Sequence, residues 1–306
     1  MTRLMPWKPA LFALATALAA CRQPALVPAR EAGGALAFDT TDLVDRGRYI
    51  VRNAADCGGC HSASEKNPDG PLSGGREFKD WRLGTIRASN LTPDPETGLG
   101  TWTDEDIVRA LRYGQAKNGR VLAPVMPYDW MHRMGDRDAF AVAQYLKSQP
   151  PVRNEVDQSP NLVFKTASLF RSPDNPVAVI VPKRGPTAMY GDYLANHVAL
   201  CAHCHTPRSG IRDEYNQKMP YAGDASPPKG FPVNPSNITP DSTTGIGRWS
   251  EEDFLRTMRT GVNPKGDTLN PIMPWPTLRR MTDDDLKAIY RYLRTLDPIE
   301  NDVPRK

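Results

Sequence analysis

The sequence predicts an all-α protein built from two similar domains in tandem, joined by a proline-rich linker. One series of short motifs occurs twice, 144 to 147 residues apart, and helix-start signals stand at matched places in both series. No segment alternates convincingly between apolar and polar residues, so strands are not expected. The chain has 306 residues, of which 39% are hydrophobic and 30 are prolines, and this suits two modest, loop-rich domains.

The first 20 residues have the composition of an export signal, because a basic start precedes a short apolar run and small residues before Cys21. The run is shorter than the roughly 20 apolar residues that span a bilayer. The ending Leu-Ala-Ala-Cys resembles the bacterial lipobox, so we expect a lipoprotein-type signal peptide over 1–20, acylation of Cys21 and a tether over 21–40. An ordinary cleaved signal with an incidental cysteine is the alternative. Loss of Arg3 and Lys8 with the signal lowers the formal net charge from +4 to +2, which predicts no nucleic-acid partner.

Two copies of Cys-x-x-Cys-His, at 57–61 and 201–205, carry the strongest chemical signal in the chain. This is the covalent attachment motif of c-type haem, and on a helical turn its two cysteines share one face. Zinc sites and redox Cys-x-x-Cys pairs, the alternatives, do not require the histidine that follows here both times. We therefore expect two covalently bound haems, attached at Cys57 and Cys60 and at Cys201 and Cys204, with His61 and His205 as axial iron ligands.

Three further motifs repeat in order after each haem motif. They read Asn-[Leu/Ile]-Thr-Pro-Asp, Thr-Gly-[Leu/Ile]-Gly-x-Trp and Met-Pro-[Tyr/Trp], and all share an offset of 147. The haem motifs are 144 apart, so the second half has three extra residues between its haem motif and its Asn-x-Thr-Pro motif. The repeated pairs are 90–94 and 237–241, 97–102 and 244–249, and 125–128 and 272–275.

Helices are expected at three matched places in each half. The segments Gly-x-Tyr-[Ile/Leu] at 47–50 and 191–194 belong to an N-terminal helix, ten residues before the first haem cysteine. Capping boxes start a later helix at Thr103 and at Ser250, with Asp in the Glu position. The last helix of the second half begins with a Thr282 cap and runs to about Leu296, whereas its counterpart has Gly135 at the cap and should start less firmly.

Met126 and Met273 are the candidates for the sixth iron ligands. Each precedes a proline, which holds the methionine in an extended loop, and each stands just before the last helix of its domain. His132 is the one rival ligand. We expect a solvated surface role for His203, and we place His197 on the helix of Cys201, near the haem edge.

The order of these motifs resembles the class I cytochrome c domains of multihaem bacterial electron-transfer proteins, over about 42–150 and 187–298. It is especially similar to the cytochrome c subunits that accompany membrane-bound alcohol and gluconate-type dehydrogenases. The resemblance implies that the cysteine pairs hold haem and that His and Met ligate each iron. The chain has two haem motifs where those subunits commonly have three, and a lipobox-like cysteine where they attach to membranes by other means.

The function that follows is a periplasm-facing, membrane-tethered dihaem carrier that passes electrons between redox proteins, one of which would be a membrane-bound dehydrogenase or an oxidase. With both axial positions filled, no catalytic residue is expected. A dihaem cytochrome c peroxidase is the alternative, but both halves contain the Met-Pro motif, which argues against an open iron. A thiosulfate dehydrogenase-like enzyme would need a free cysteine ligand, and no signalling module supports a sensory role. The expected domains are 41–150 and 187–300, with the linker over 151–186.

Overall fold

The computed structural model of the chain describes residues 40–64, 66–80, 84–157, 179–209, 214–227 and 233–304. The predicted signal peptide, Cys21 and nearly all of the predicted tether lie outside these residues, as does the linker segment 158–178. Within the described ranges, no helix combines the length and the apolar composition needed to cross a bilayer.

Both halves are built from helices in the same order, as the repeat predicts. In each half the first helix runs into a five-residue π-helical turn, which precedes the short helix of the haem motif. The first half contains α1 (Thr40–Tyr49), π1 (Ile50–Ala54), α2 (Cys57–His61), α3 (Asp104–Tyr113), α4 (Tyr128–Met131) and α5 (Asp136–Lys147). The second contains α6 (Ala188–Tyr193), π2 (Leu194–Val198), α7 (Cys201–His205), α8 (Glu251–Thr260), α9 (Trp275–Leu278) and α10 (Asp283–Leu293).

The first and last helices of each half cross at a glycine. A Cβ atom on Gly47 would lie 1.9 Å from the carbonyl oxygen of Ala141, and one on Gly191 would lie 1.9 Å from that of Ala288. Only a residue without a side chain allows α1 to approach α5, or α6 to approach α10, this closely. The glycines that the sequence analysis placed in the N-terminal helices are therefore the crossing points of the two cores.

The predicted capping boxes are confirmed. Thr103 accepts a hydrogen bond from the Asp106 amide and Asp106 accepts one from the Thr103 amide, both at 3.1 Å. Ser250 and Asp253 make the same reciprocal pair at the start of α8, at 3.0 and 3.1 Å. Both helices end at a glycine in the left-handed conformation, Gly114 and Gly261, which frees the backbone to leave the helix.

Two short antiparallel hairpins correct the expectation that the chain has no strands. One pairs β1 (Glu77–Asp80) with β2 (Gly84–Arg87), and the other pairs β3 (Arg208–Ser209) with β4 (Glu214–Tyr215). Strands of two to four residues are too short to show the period of two by which a strand is recognised in a sequence.

The hairpins stand at different places in the repeat, and this explains the difference in offset. The His61 carbonyl accepts from the Gly74 amide, and the His205 carbonyl accepts from the Gly223 amide. The second half is thus five residues longer up to this bond, where β3 and β4 lie. It is two residues shorter between the glycine and the Asn-x-Thr-Pro motif, where the first half has β1 and β2.

The two halves pack against each other in a reciprocal way. The short helix α4 of the first half contacts π2 of the second, and α9 of the second half contacts π1 of the first. Tyr49 donates to Asp285 Oδ2 at 2.5 Å and accepts from the Thr282 amide at 3.0 Å. The halves are therefore related by an approximate twofold arrangement within one chain.

The matching bonds of Tyr193 complete this arrangement. Its hydroxyl donates to Asp138 Oδ2 at 2.8 Å and accepts from the Gly135 amide at 3.1 Å. Tyr49 thus joins the end of α1 to the start of α10, and Tyr193 joins the end of α6 to the start of α5.

Candidate haem sites

The two Cys-x-x-Cys-His segments have the same backbone conformation. Each forms one turn of helix, and each follows a residue in the left-handed region, Asp56 with φ of 48° or Leu200 with φ of 57°. A non-glycine residue with positive φ is uncommon and marks a constrained turn. The π-helical turns end just before these residues, with the Ala55 amide bonded to the Ile50 carbonyl and Ala199 to Leu194. The chain thus enters each motif by a sharp and repeated bend.

The surroundings of the motif cysteines disfavour the charged form of a thiol. Burial raises the pKa of Cys57 and of Cys201 to about 12. Redox-active cysteines have a lowered pKa, and these surroundings raise it instead. Among the residues that the structure describes, no group of three or more His, Cys, Asp or Glu side chains could hold a metal ion. The structure therefore does not support the zinc and dithiol alternatives.

Both motif histidines are held by a backbone carbonyl. Nδ1 of His61 lies 2.8 Å from the Ser89 carbonyl oxygen, and Nδ1 of His205 lies 2.7 Å from that of Ser236. A carbonyl only accepts, so Nδ1 carries the proton and Nε2 keeps its lone pair. Burial lowers the pKa of both imidazoles, which favours this neutral form. The arrangement is that of a metal-ligating histidine whose ring is oriented by a second bond.

The Asn-x-Thr-Pro-Asp motif positions these carbonyls, a role that the sequence analysis did not assign to it. Asn90 follows Ser89, is 3% exposed, and accepts from the Thr92 amide at 3.0 Å and hydroxyl at 2.7 Å. Its amide donates to Thr97 Oγ1 at 3.1 Å and to the Val152 carbonyl at 2.8 Å. A buried side chain whose oxygen and nitrogen are both bonded fixes the backbone beside it. The exact repetition of the motif was the signal that could have revealed it.

The second half repeats this network at an offset of 147. Asn237 accepts from the Thr239 amide and hydroxyl at 3.0 and 2.7 Å, and it donates to Thr244 and to the Ile299 carbonyl. Residues 152–154 and 299–301 are thus equivalent segments, here called straps, that lie along the two Asn-x-Thr-Pro loops and bond to them. The first strap lies in the segment that the sequence analysis assigned to the linker.

The two candidate methionines lie in equivalent turns. Met126 and Met273 are partly buried against the core, and their carbonyls accept from the Tyr128 and Trp275 amides at 2.8 and 2.6 Å. The aromatic side chain of each Met-Pro-aromatic motif covers the C-terminal glycine of the preceding helix. A Cβ atom on Gly114 would lie 2.6 Å from the Tyr128 ring, and one on Gly261 would lie 2.5 Å from the Trp275 ring.

The remaining histidines occupy sites that the sequence predicted only in part. His132 Nδ1 lies 3.3 Å from the Arg112 carbonyl oxygen, and its ring meets Tyr113 edge to face. His203, expected on the surface, is instead partly buried with Trp130 and Tyr215, and burial lowers its pKa to about 4. The sequence could not reveal this because Trp130 comes from the other half.

His197 also departs from its predicted position. It lies in π2 and is separated from the helix of Cys201 by the bend at Leu200. Its Nδ1 bonds to the Trp130 carbonyl of the first half at 2.9 Å.

The donor set at each motif fits haem c. Two protonated thiols on one helical turn are the groups that add to two vinyl groups, and the neutral histidine that follows offers a free Nε2 lone pair for iron. Each half also supplies a partly buried methionine thioether from an equivalent loop. The same four donors, His, Met and two Cys, are present in both halves.

Comparison with known proteins agrees with this chemistry. Residues 44–150 match the model of the cytochrome c family. The chain is 32% identical over 283 residues to the cytochrome c subunit of the quinone-dependent alcohol dehydrogenase of Gluconobacter oxydans, covering 87% of this chain and 58% of that protein. It is 33% identical over 277 residues to the gluconate 2-dehydrogenase cytochrome c subunit of Pantoea cypripedii, covering 86% of this chain and 62% of that protein.

A third relative is similar in length as well as in sequence. A dihaem cytochrome c-type protein of Cereibacter sphaeroides is 27% identical over 270 residues, which cover 85% of this chain and 88% of that protein. The chain therefore spans a little over half of the two dehydrogenase subunits and most of the dihaem protein.

Proposed function

This chain contains a cytochrome c domain and is related over most of its length to cytochrome c subunits of bacterial dehydrogenases, and from that premise we propose that it is a dihaem electron-transfer protein. It is not itself the enzyme of such a complex. The observation that carries the proposal is the repeated histidine geometry, in which Nδ1 of His61 and of His205 is bonded to a backbone carbonyl. That bond leaves Nε2 of each ring available to iron.

The proposed ligands come from both halves alike. Cys57 and Cys60 would hold one haem and Cys201 and Cys204 the other, while Met126 and Met273 would be the sixth ligands opposite His61 and His205. Bound haem supplies one-electron chemistry, and a methionine thioether favours the ferrous state and raises the potential.

Electrons would pass between the halves inside the molecule. His203, which precedes Cys204, meets Trp130 of the first half with 6.3 Å between ring centroids, so the second haem motif lies at the interface between the halves. Cys60 and Cys204, the second cysteines of the two motifs, are exposed. This supports a carrier in which either haem exchanges electrons with the other and with a docked protein.

His/Met ligation at both irons leaves no open position for a substrate. The comparisons do not support the peroxidase alternative, since the relatives named above are cytochrome c subunits and a dihaem cytochrome. We infer that the redox partner is a membrane-bound dehydrogenase, with a respiratory protein such as an oxidase as a further partner.

We also propose that the protein faces the bacterial periplasm and is tethered to a membrane through an acylated Cys21. This rests on the signal-like segment 1–20 and its Leu-Ala-Ala-Cys ending. Several acyl chains on one cysteine give the stable attachment that a single chain does not.

The ligands are tested with purified holoprotein. We expect two haems per chain that resist acidified organic extraction, and Cys57→Ala with Cys60→Ala should remove one of them. Met126→Ala and Met273→Ala should each keep both haems, lose about half of the sulfur-to-iron charge-transfer absorption and open one iron to cyanide, because the thioether bonds to the porphyrin are untouched. Extractable haem, or methionine variants with unchanged spectra, would contradict the proposal.

A further inference from the structure

His197 is a side chain that the proposed function leaves without a role. It lies in π2, four residues before Cys201, and is partly buried between the two halves. Its Nδ1 lies 2.9 Å from the carbonyl oxygen of Trp130, which belongs to the first half. Because a carbonyl only accepts, His197 is the donor of this bond. Burial lowers its pKa, so the ring is neutral near pH 7.

Trp130 is firmly connected to Met126. The Trp130 amide donates to the Pro127 carbonyl at 3.1 Å, and the Tyr128 amide donates to the Met126 carbonyl at 2.8 Å. These bonds form one continuous turn from the methionine to the tryptophan. Tyr128 is 3% exposed and lies against Gly114, so the turn has little room to shift as a whole.

The second half also contacts the side chain of Trp130. The indole meets the Tyr215 ring edge to face, with 4.8 Å between centroids, and it meets the His203 ring at 6.3 Å. Such pairs add to the burial of the rings themselves. The end of the Met126 turn is thus bound at both its carbonyl and its side chain by residues near the second haem motif.

The opposite side of the interface is joined by different bonds. Asn53, which matches His197 in the repeat, donates to the Arg280 carbonyl at 3.4 Å. This bond is half an ångström longer than that of His197, and Arg280 lies seven residues beyond Met273, whereas Trp130 lies four beyond Met126. Thr277, which lies four residues beyond Met273, instead donates to Asp56 Oδ1 at 2.7 Å, so the first half holds the loop of Met273 through residues other than Asn53.

We propose that His197 is a positioning residue for the methionine ligand of the first haem, although it lies just before the Cys-x-x-Cys-His motif of the second haem. The inference rests on the proposed ligation by Met126. The hydrogen bond to Trp130 holds the loop in which Met126 reaches the iron, so the second half stabilises ligation in the first.

The test measures each haem in a background where the other has lost its methionine. In Met273→Ala protein the remaining sulfur-to-iron absorption belongs to the first haem, and in Met126→Ala protein it belongs to the second. His197→Ala is introduced into both. In the Met273→Ala background we expect it to weaken the remaining absorption and to raise the affinity of the first haem for cyanide about three- to tenfold, the effect of one lost hydrogen bond.

The Met126→Ala background is the matched control, in which His197→Ala should leave the absorption and the cyanide affinity of the second haem unchanged. His197→Asn should restore the first haem, since its Nδ2 occupies the position of histidine Nδ1, and Asn53 already makes such a bond in the other half. If His197→Ala protein loses covalent haem, His197→Leu replaces it, because leucine retains volume but has no donor.

The outcomes separate this inference from the ligation itself. The positioning role is supported if His197→Ala weakens the sulfur-to-iron absorption of the first haem only and His197→Asn restores it. No loss in either background, or equal loss in both, overturns it and leaves Met126 ligation standing. If Met126→Ala alone changes no spectrum, the ligation proposal fails first.

Discussion

Two equivalent aspartates show how the environment of a single residue differs between the halves. Asp138 and Asp285 each lie in the first turn of the last helix of their half and accept from a tyrosine hydroxyl. Arg46 adds a buried bidentate pair to Asp138, at 2.8 and 2.7 Å, but the residue that matches Arg46 in the repeat is Tyr190. Burial alone would raise the pKa of Asp138, but Arg46 outweighs it and the pKa is lowered. Burial raises the pKa of Asp285, which has no such partner.

We expect Asp138→Asn to destabilise the protein by about 3 kcal/mol at pH 7, because it leaves Arg46 buried without its counter-charge. Asp285→Asn should change stability by no more than about 1 kcal/mol, since the amide oxygen still accepts from Tyr49. Urea denaturation of both variants, followed by circular dichroism, measures the difference. Equal losses would show that the buried ion pair does not distinguish the two sites.

The two variants should also respond to pH in opposite directions. The lowered pKa of Asp138 means that its stabilisation is present above the ordinary value of 3.8 and is lost as the pH falls through the native value. The raised pKa of Asp285 means that its charged form is penalised in the native state, and this penalty disappears as the pH falls. From pH 7 to pH 3.5 the effect of Asp138→Asn should therefore shrink, while that of Asp285→Asn should grow.

At the scale of the helices, one half completes the caps of the other. The last helix of the first half starts at Gly135, which has no side chain for the cap, as the sequence predicts. Its free amide is instead satisfied by Tyr193 at 3.1 Å, from α6 of the second half. In α10 Thr282 caps the Asp285 amide at 3.2 Å, and Tyr49 adds a second bond. The weak start predicted for α5 is thus compensated by a residue 58 positions away.

We expect Tyr193→Phe to cost about 2 kcal/mol and Tyr49→Phe about 1 kcal/mol, because α10 retains a side-chain cap and α5 does not. Hydrogen exchange should speed up at the first amides of α5 in Tyr193→Phe, with smaller changes at α10 in Tyr49→Phe. The ring is preserved in both variants, which makes each the control for the other. Faster exchange at α10 than at α5 would be inconsistent with this account.

For the molecule as a whole, the interface fixes the position of one half against the other, which a linker alone would not do. Each loop with a candidate methionine continues into a short helix that contacts the π-helical turn before the other haem motif. Further bonds cross the same interface, including Thr277 to Asp56 at 2.7 Å and Arg280 to Asp69 at 2.6 Å. The two halves are therefore better described as one packed unit than as two independent domains.

The predicted attachment of this unit to a membrane depends on one residue outside the described structure. We expect the mature chain to begin at an acylated Cys21 and to sediment with membranes, whereas Cys21→Ser protein should be soluble or remain unprocessed. Mass spectrometry of the mature N-terminus and fractionation of the two proteins measure this. An unmodified N-terminus elsewhere in the chain would rule out the lipoprotein proposal.

The sequence by itself determined the helical repeat, the capping boxes and the donor types at each haem motif, because these depend on residues within a few positions of one another. Only the tertiary structure showed that the Asn-x-Thr-Pro loops present a carbonyl to each histidine, that His203 is partly buried against Trp130, and that Tyr193 caps α5. The short hairpins belong with these, since their strands are below the length that shows a period. Apart from the hairpins, each of these features joins residues that lie far apart in the chain or in different halves, and local spacing carries no information about such contacts.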